Sequence, residues 1–183
     1  MPRLSPIAPP YTDEVQDSFR KLMPPGMEPL GLFRTLAHNP RVLRRIQRGG
    51  LLDPGSISLR LRELAILRTC ARCGAEYEWG VHVTLFGGAA GFDEAALERI
   101  ALGLASDRSW TDEERLVLEL CDALHDHSTL SDGQWEALRL AFEPAQLVEL
   151  VTLAGLYHAV SFLVNALQVA PEPWAAALPR YPG

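Results

Sequence analysis

The chain has 183 residues, 48% of them apolar, and a formal net charge of −6. That length fits one domain with a sizeable core, and that apolar share excludes a disordered chain. The acidic balance argues against a nucleic-acid or anionic-membrane partner, because neither phosphate nor acidic lipid is attracted to such a surface.

The chain opens with an arm carrying Pro2, Pro6, Pro9 and Pro10. It lacks an apolar core of signal-peptide length, so a cytoplasmic setting is expected. Residues 12–22 form the first predicted helix, stopped by Pro24, Pro25 and Gly26. Helices over 30–38 and 40–47 follow, broken at Asn39-Pro40 and ended by Gly49-Gly50. The second of these carries Arg41, Arg44, Arg45 and Arg48, either a solvated face or a patch for an anionic substrate or partner. A long helix over 58–73 is capped by Ser56 or Ser58, and Gly74 separates it from another over 75–86 that Gly87-Gly88 ends.

Asp93 starts a helix to 102. Thr111 with Glu114, and Ser131 with Gln134, are capping boxes that open helices to 125 and 142. Pro144 opens the last helix, to 169. Its apolar stretch carries Glu149, His158 and Asn165, so it reads as a buried helix and not a membrane span. A proline-rich tail with Trp174 and Tyr181 follows, its aromatics placed to dock on this chain or a neighbour. Period-2 alternation is absent and helical spacing recurs throughout. The expected class is therefore all-α, a single-domain orthogonal bundle of about eight helices. Residues 1–54 are expected to pack on a core domain of 55–170, with 171–183 as the tail. Glu63-Leu64-Ala65-Ile66-Leu67 is faintly echoed by Glu149-Leu150-Val151-Thr152-Leu153.

Chemistry concentrates between Glu63 and His82. Glu78 and His82 are four residues apart and share a helical face, so the carboxylate can orient the imidazole for acid–base work. Tyr77 adds a hydroxyl. Glu63 precedes an apolar run, and a buried carboxylate seeks a partner. If the two helices fold back on each other, that partner is His82. The plainer alternative is a surface Glu–His contact worth a few tenths of a kcal/mol.

Cys70 and Cys73 form C-x-x-C, which suits thiol exchange or half of a metal site. Both fall at a helix end where the dipole disfavours a thiolate, so two small core residues is the alternative. Cys121 stands alone, and three thiols are too few for a disulfide framework. His125 and His127 at a helix end are favourable there without any function. Tyr157 and His158 lie on the last helix, where a pocket near His82 would find them. No metal or cofactor is expected.

The segments R-E-L-A-I-L-R from Arg62, G-A-E-Y-E-W-G-V-H from Gly74 and E-L-V-T-L-A-G-L-Y-H-A-V from Glu149 resemble the carboxymuconolactone decarboxylase family, which includes the alkyl hydroperoxidase D-like proteins. The similarity spans roughly residues 55–169. It implies an all-α fold whose helical hairpin carries the site, and a homo-oligomer: a dimer, trimer or hexamer. In the peroxidase members the pattern runs from Glu to Cys, a second Cys and His. Laid on Glu63, it puts the thiols at Ala75 and Glu78 and the imidazole at His82. Cys70 and Cys73 sit five residues too early.

The resemblance therefore implies acid–base chemistry, of decarboxylase type, on a small carboxylated or lactone-like substrate. Glu63, Glu78 and His82 form the relay, while Tyr77, Tyr157 and His158 position substrate. The alternatives are a peroxiredoxin-type alkyl hydroperoxide reductase using Cys70 and Cys73, and a non-catalytic oligomer that binds a small molecule or partner.

Overall fold

The computed structural model describes residues 2–181, which form nine α-helices and no strand. They are α1 (Asp13–Leu22), α2 (Gly31–Leu36), α3 (Pro40–Gly49), α4 (Leu59–Arg72), α5 (Glu76–His82), α6 (Glu94–Leu102), α7 (Asp112–His127), α8 (Asp132–Ala141) and α9 (Pro144–Leu167). The starts follow side-chain chemistry. Ser58 accepts from the Leu61 amide, Asp93 from Ala96 and Asn39 from Val42, while Thr111 and Ser131 both close capping boxes. Gly74, at φ +60°, ends α4 in the left-handed region that a glycine adopts without strain. Gly87 and Gly88 end the next helical segment where expected, but not in the left-handed conformation of a glycine terminator. The chain continues past His82 in a wider π turn, Val83–Gly87, and the left-handed glycine is Gly91, at φ +75°.

Helix α4 is the axis of the bundle. Every residue from Leu61 to Cys70 is buried, and α5, α6, α7 and α9 pack around it. A helix enclosed on all sides must partner its own polar groups, and α4 does so with a ladder. Arg60 Nε donates to Glu114 at 2.5 Å, Arg68 bonds both oxygens of Asp122 at 2.7 Å, and Arg72 Nη2 meets Asp126 at 2.6 Å. Each pair is 54 residues apart, and a constant offset means that α4 and α7 run in the same direction. Helix α9 also follows α4 in the same sense, since Ser56 bonds Glu149 and the Cys73 carbonyl accepts from Asn165. Although α9 is long and apolar enough to cross a membrane, Leu150, Leu153, Ala154 and Val164 are buried against the bundle as core residues.

The two ends of the chain close over this core. Helices α1 and α3 pack together, with Arg44 paired to Glu14, and Arg41, Arg45 and Arg48 are exposed. The tail crosses α5 and docks on this chain. Glu172 accepts from the Gly31 amide at 2.5 Å and from the Tyr77 hydroxyl at 2.7 Å, and Tyr181 donates to the Leu102 carbonyl at 2.6 Å. Gly80 is where tail and helix meet most closely: a Cβ there would lie 2.4 Å from the Ala176 carbonyl oxygen. We predict that Gly80→Ala destabilises the fold by about 1–3 kcal/mol, the usual range for overpacking. Removing residues 173–183 should erase most of that penalty, since the clash is with the tail. Equal losses in the full and shortened chains, read by denaturant unfolding, would contradict this contact.

Candidate functional site

The site begins with a side chain that has no exposure. Glu63 lies in the second turn of α4 and is fully buried. Gly74 turns the chain back, and α5 returns along α4 so that its last residue, His82, reaches Glu63. His82 Nδ1 lies 2.8 Å from Glu63 Oε2. The other oxygen, Oε1, accepts from Arg62 Nε at 3.0 Å and Nη2 at 2.9 Å, while Arg62 Nη1 donates to the Leu52 carbonyl at 2.7 Å. A carboxylate gripped by a guanidinium on one oxygen accepts on the other, so the proton of the contact sits on Nδ1 and Nε2 points away from Glu63.

Nε2 faces two further groups. The Tyr157 hydroxyl is 2.9 Å away, and Glu78 Oε2 is 3.8 Å away. All three side chains border a cavity of about 460 Å³, and they are the polar side chains in its lining. The rest is apolar: Val81, Leu85 and Phe86 follow from α5 and the π turn, Leu156 and Val160 come from α9, and α1 to α3 with their loops supply Leu22, Met27, Phe33 and Ile46. The π turn carries Phe86 to 5.4 Å from the His82 ring, centroid to centroid. The Arg62 guanidinium lies 5.6 Å from the Phe86 centroid, within cation–π range. The N-terminal helices are thus a wall of the cavity as well as a cover for the core.

Burial raises the Glu78 carboxyl above its ordinary range, with His82 pulling the other way. Burial also holds the Tyr157 phenol far above its usual range, helped by the charges of Glu78, Cys70 and Glu63. Tyr157 therefore keeps its proton. Its hydroxyl donates to Nε2 when the imidazole is neutral and accepts from it when the ring is protonated.

The other candidates lie elsewhere. Tyr77 does not border the cavity. Its hydroxyl accepts from the Leu32 amide at 3.0 Å and donates to Glu172, which ties α2 and the tail to α5. His158 is likewise absent from the lining: one position along α9 turns a side chain about 100° from Tyr157, and its ring meets His125 instead. Cys70 and Cys73 are free thiols and neither borders the cavity. Burial pushes the Cys70 thiol well up, aided by the Glu78 charge, and raises Cys73 too. Burial outweighs the pull of the Arg72 guanidinium on Cys73, and charge near Cys70 pushes the same way as burial, so neither thiol is activated. Arg62 is the site residue that the sequence did not reveal. Adjacent helical residues do not face each other, so Arg62 beside Glu63 gave no signal of a pair.

Residues 40–120 match the model of the carboxymuconolactone decarboxylase family. Over that segment the chain is similar to the family. No curated protein sequence matches it. Among solved structures, an uncharacterized peroxidase-related protein from Silicibacter sp. TM1040 is similar with a TM-score of 0.78 at 16% identity, over 92% of this chain and 90% of that one. The alkylhydroperoxidase AhpD core protein from Ralstonia eutropha JMP134, also uncharacterized and peroxidase-related, gives 0.73 at 16% identity over 93% of each chain. The debrominase Bmp8, in a cysteine-to-alanine variant bound to 2,3,4-tribromopyrrole, gives 0.77 at 12% identity over 93% and 92%. At these identities the likeness is one of fold: the chain has the alkyl hydroperoxidase D-like architecture.

The raised Glu78 carboxyl has a consequence for stability. The folded state holds this proton more tightly than the unfolded chain, so stability falls as pH rises from the unfolded carboxyl value near 4.5 through the higher folded one. Glu78→Gln removes this dependence. Urea unfolding of both forms from pH 4 to 8 should show the variant gaining on the parent as pH rises; parallel curves would contradict it.

Proposed function

We propose that this protein is a carboxymuconolactone decarboxylase-family enzyme that works by general acid–base chemistry of decarboxylase type. Its substrate is a small, mostly apolar carboxylate with a ketone or lactone carbonyl placed to take up the electron pair as carbon dioxide leaves. The observation that carries this reading is the ring of His82, held at Nδ1 by a buried carboxylate and turning Nε2 into a cavity of about 460 Å³ with almost entirely apolar walls. An imidazole fixed in one tautomer takes up and returns a proton at a defined atom. Walls that exclude water strengthen every charge interaction inside.

In the proposed reaction the substrate carboxylate lies among Nε2, the Tyr157 hydroxyl and Glu78. The bond from the carboxyl carbon to its neighbour breaks, carbon dioxide leaves, and the electron pair passes into an enolate. The protonated His82 ring, or the Glu78 carboxyl, then delivers a proton to that carbon. Glu63 does not border the cavity; it orients His82 and stabilises the imidazolium, with Arg62 balancing its charge. Tyr157 follows the proton by switching between donor and acceptor. Tyr77 and His158, remote from the cavity lining, have no part in this scheme, and the peroxide reading through Cys70 and Cys73 lacks an activated thiol. The proposal includes a cytoplasmic homo-oligomer, a dimer, trimer or hexamer. The exposed Val148, Val151 and Phe162 on the outer side of α9 are apolar surface for such an assembly.

The test is a panel of β-keto and γ-lactone carboxylates, carboxymuconolactone included, followed by carbon dioxide release and by deuterium uptake at the carbon that loses it. His82→Gln should lower turnover by about 10²–10⁴-fold with an unchanged circular dichroism spectrum. Cys70→Ala and Cys73→Ala should retain it. Turnover insensitive to His82→Gln, or peroxide-dependent turnover that requires either thiol, would overturn the reading.

A further inference from the structure

A second cluster of chemically capable side chains lies away from the cavity lining. The end of α4, the last turns of α7 and the middle of α9 bring together Cys73, His125 and His158, all half-buried. Cys73 Sγ lies 3.7 Å from His125 Nδ1, and His125 Nδ1 lies 3.1 Å from His158 Nε2. All three donor atoms fall within 4.8 Å of one another. The tautomer of His158 follows from its other nitrogen. Nδ1 is 2.9 Å from the Ala154 carbonyl, which only accepts, so Nδ1 carries the proton and Nε2 turns a lone pair towards His125. A ring proton held by a backbone carbonyl is the usual support of a metal-ligating histidine.

Two ring nitrogens at this separation share either a proton or a cation, and the sulfur decides between them. A tetrahedral zinc ion with bonds of about 2.0–2.1 Å to nitrogen and about 2.3 Å to sulfur spaces its ligands by about 3.3 Å for N to N and about 3.6 Å for N to S. The observed 3.1 and 3.7 Å fall close to those values, and the Cys73 Sγ to His158 Nε2 pair lies within 4.8 Å. The frame is fixed as well. Asn165 donates to the Cys73 carbonyl at 2.8 Å, pinning the end of α4 to α9.

We propose that Cys73, His125 and His158 form a three-ligand site for one zinc-class divalent cation, its fourth position open to water or a small exogenous ligand. The nearby carboxylates are otherwise engaged: Asp122 is held by Arg68 and Arg72, and Asp126 by Arg72. Their charges offset the Arg72 guanidinium, which would otherwise repel a cation. A cysteine ligates as the thiolate and a histidine as the neutral ring, so cation binding releases the Cys73 thiol proton. Cys73 is thereby a ligand in place of half a redox pair, and His127 is outside the set.

The test uses the full chain, stripped with chelator and reduced. Cobalt(II) is added as a spectroscopic stand-in, and zinc affinity is then measured against a chromophoric chelator. One equivalent should bind, with tetrahedral visible bands and a thiolate-to-cobalt charge-transfer band in the near ultraviolet. Cys73→Ser should abolish the charge-transfer band, and it and His158→Ala should each weaken zinc binding at least tenfold. His82→Gln should leave binding unchanged, which separates this site from the proposed acid–base centre. Less than a tenth of an equivalent bound, a cobalt spectrum without the thiolate band in the unaltered chain, or binding lost on His82→Gln would overturn the proposal. Because the spectrum is read on the unaltered chain, misfolding of a variant does not shield the proposal.

Discussion

A single buried carboxylate sets the constraint on which the rest of this molecule depends. Glu63 has no exposure, and an ionised group taken fully out of water is tolerated only with charged or hydrogen-bonding partners at short range. It has two. Arg62 reaches back along α4 to one oxygen, and His82 arrives from α5 at the other. That demand fixes how tightly α5 returns along α4, and so which way the imidazole faces. With Nδ1 held, Nε2 has only the cavity, Tyr157 and Glu78 in front of it.

The remaining architecture protects that arrangement from water. Helices α1 to α3 contribute Leu22, Met27, Phe33 and Ile46 to the cavity wall, and α9 supplies Leu156, Tyr157 and Val160. The tail braces α5 from outside through Glu172 and the close approach at Gly80. Parallel to this, the arginine ladder from Arg60 to Arg72 keeps α7 in register with α4. The same alignment sets His125 beside Cys73, so one packing solution produces both the buried relay and the separate sulfur–nitrogen cluster.

Much of this was legible in the sequence, because helix ends are written in local chemistry. Thr111 with Glu114 and Ser131 with Gln134 act within one turn, and both closed the boxes expected of them. Gly74 broke the central helix as its freedom at positive φ dictates. The π turn after His82 was not legible, since nothing in V-T-L-F-G distinguishes it from an α-helical turn. Within the site, the i, i+4 spacing of Glu78 and His82 carried the geometric signal, while Arg62 did not announce itself. Tyr157 and His158 show the limit most clearly. They are neighbours in sequence, yet the turn of α9 sends one to the cavity and the other to His125. Only the packing of α9 against α4 and α7 decides which is which. Tyr77 was misread for a similar reason, because its partner Glu172 lies on a tail whose course is set by tertiary contacts.

The central claim is that Glu63 holds His82 in one tautomer with Nε2 free to trade a proton in the cavity. Nitrogen-15 NMR of the His82 ring, followed across pH in selectively labelled protein, reads this directly. The account predicts an Nδ1 that carries a slowly exchanging, strongly hydrogen-bonded proton throughout, with only Nε2 changing its protonation. A ring that averages between both tautomers, with an Nδ1 proton that exchanges as freely as one in water, would contradict it.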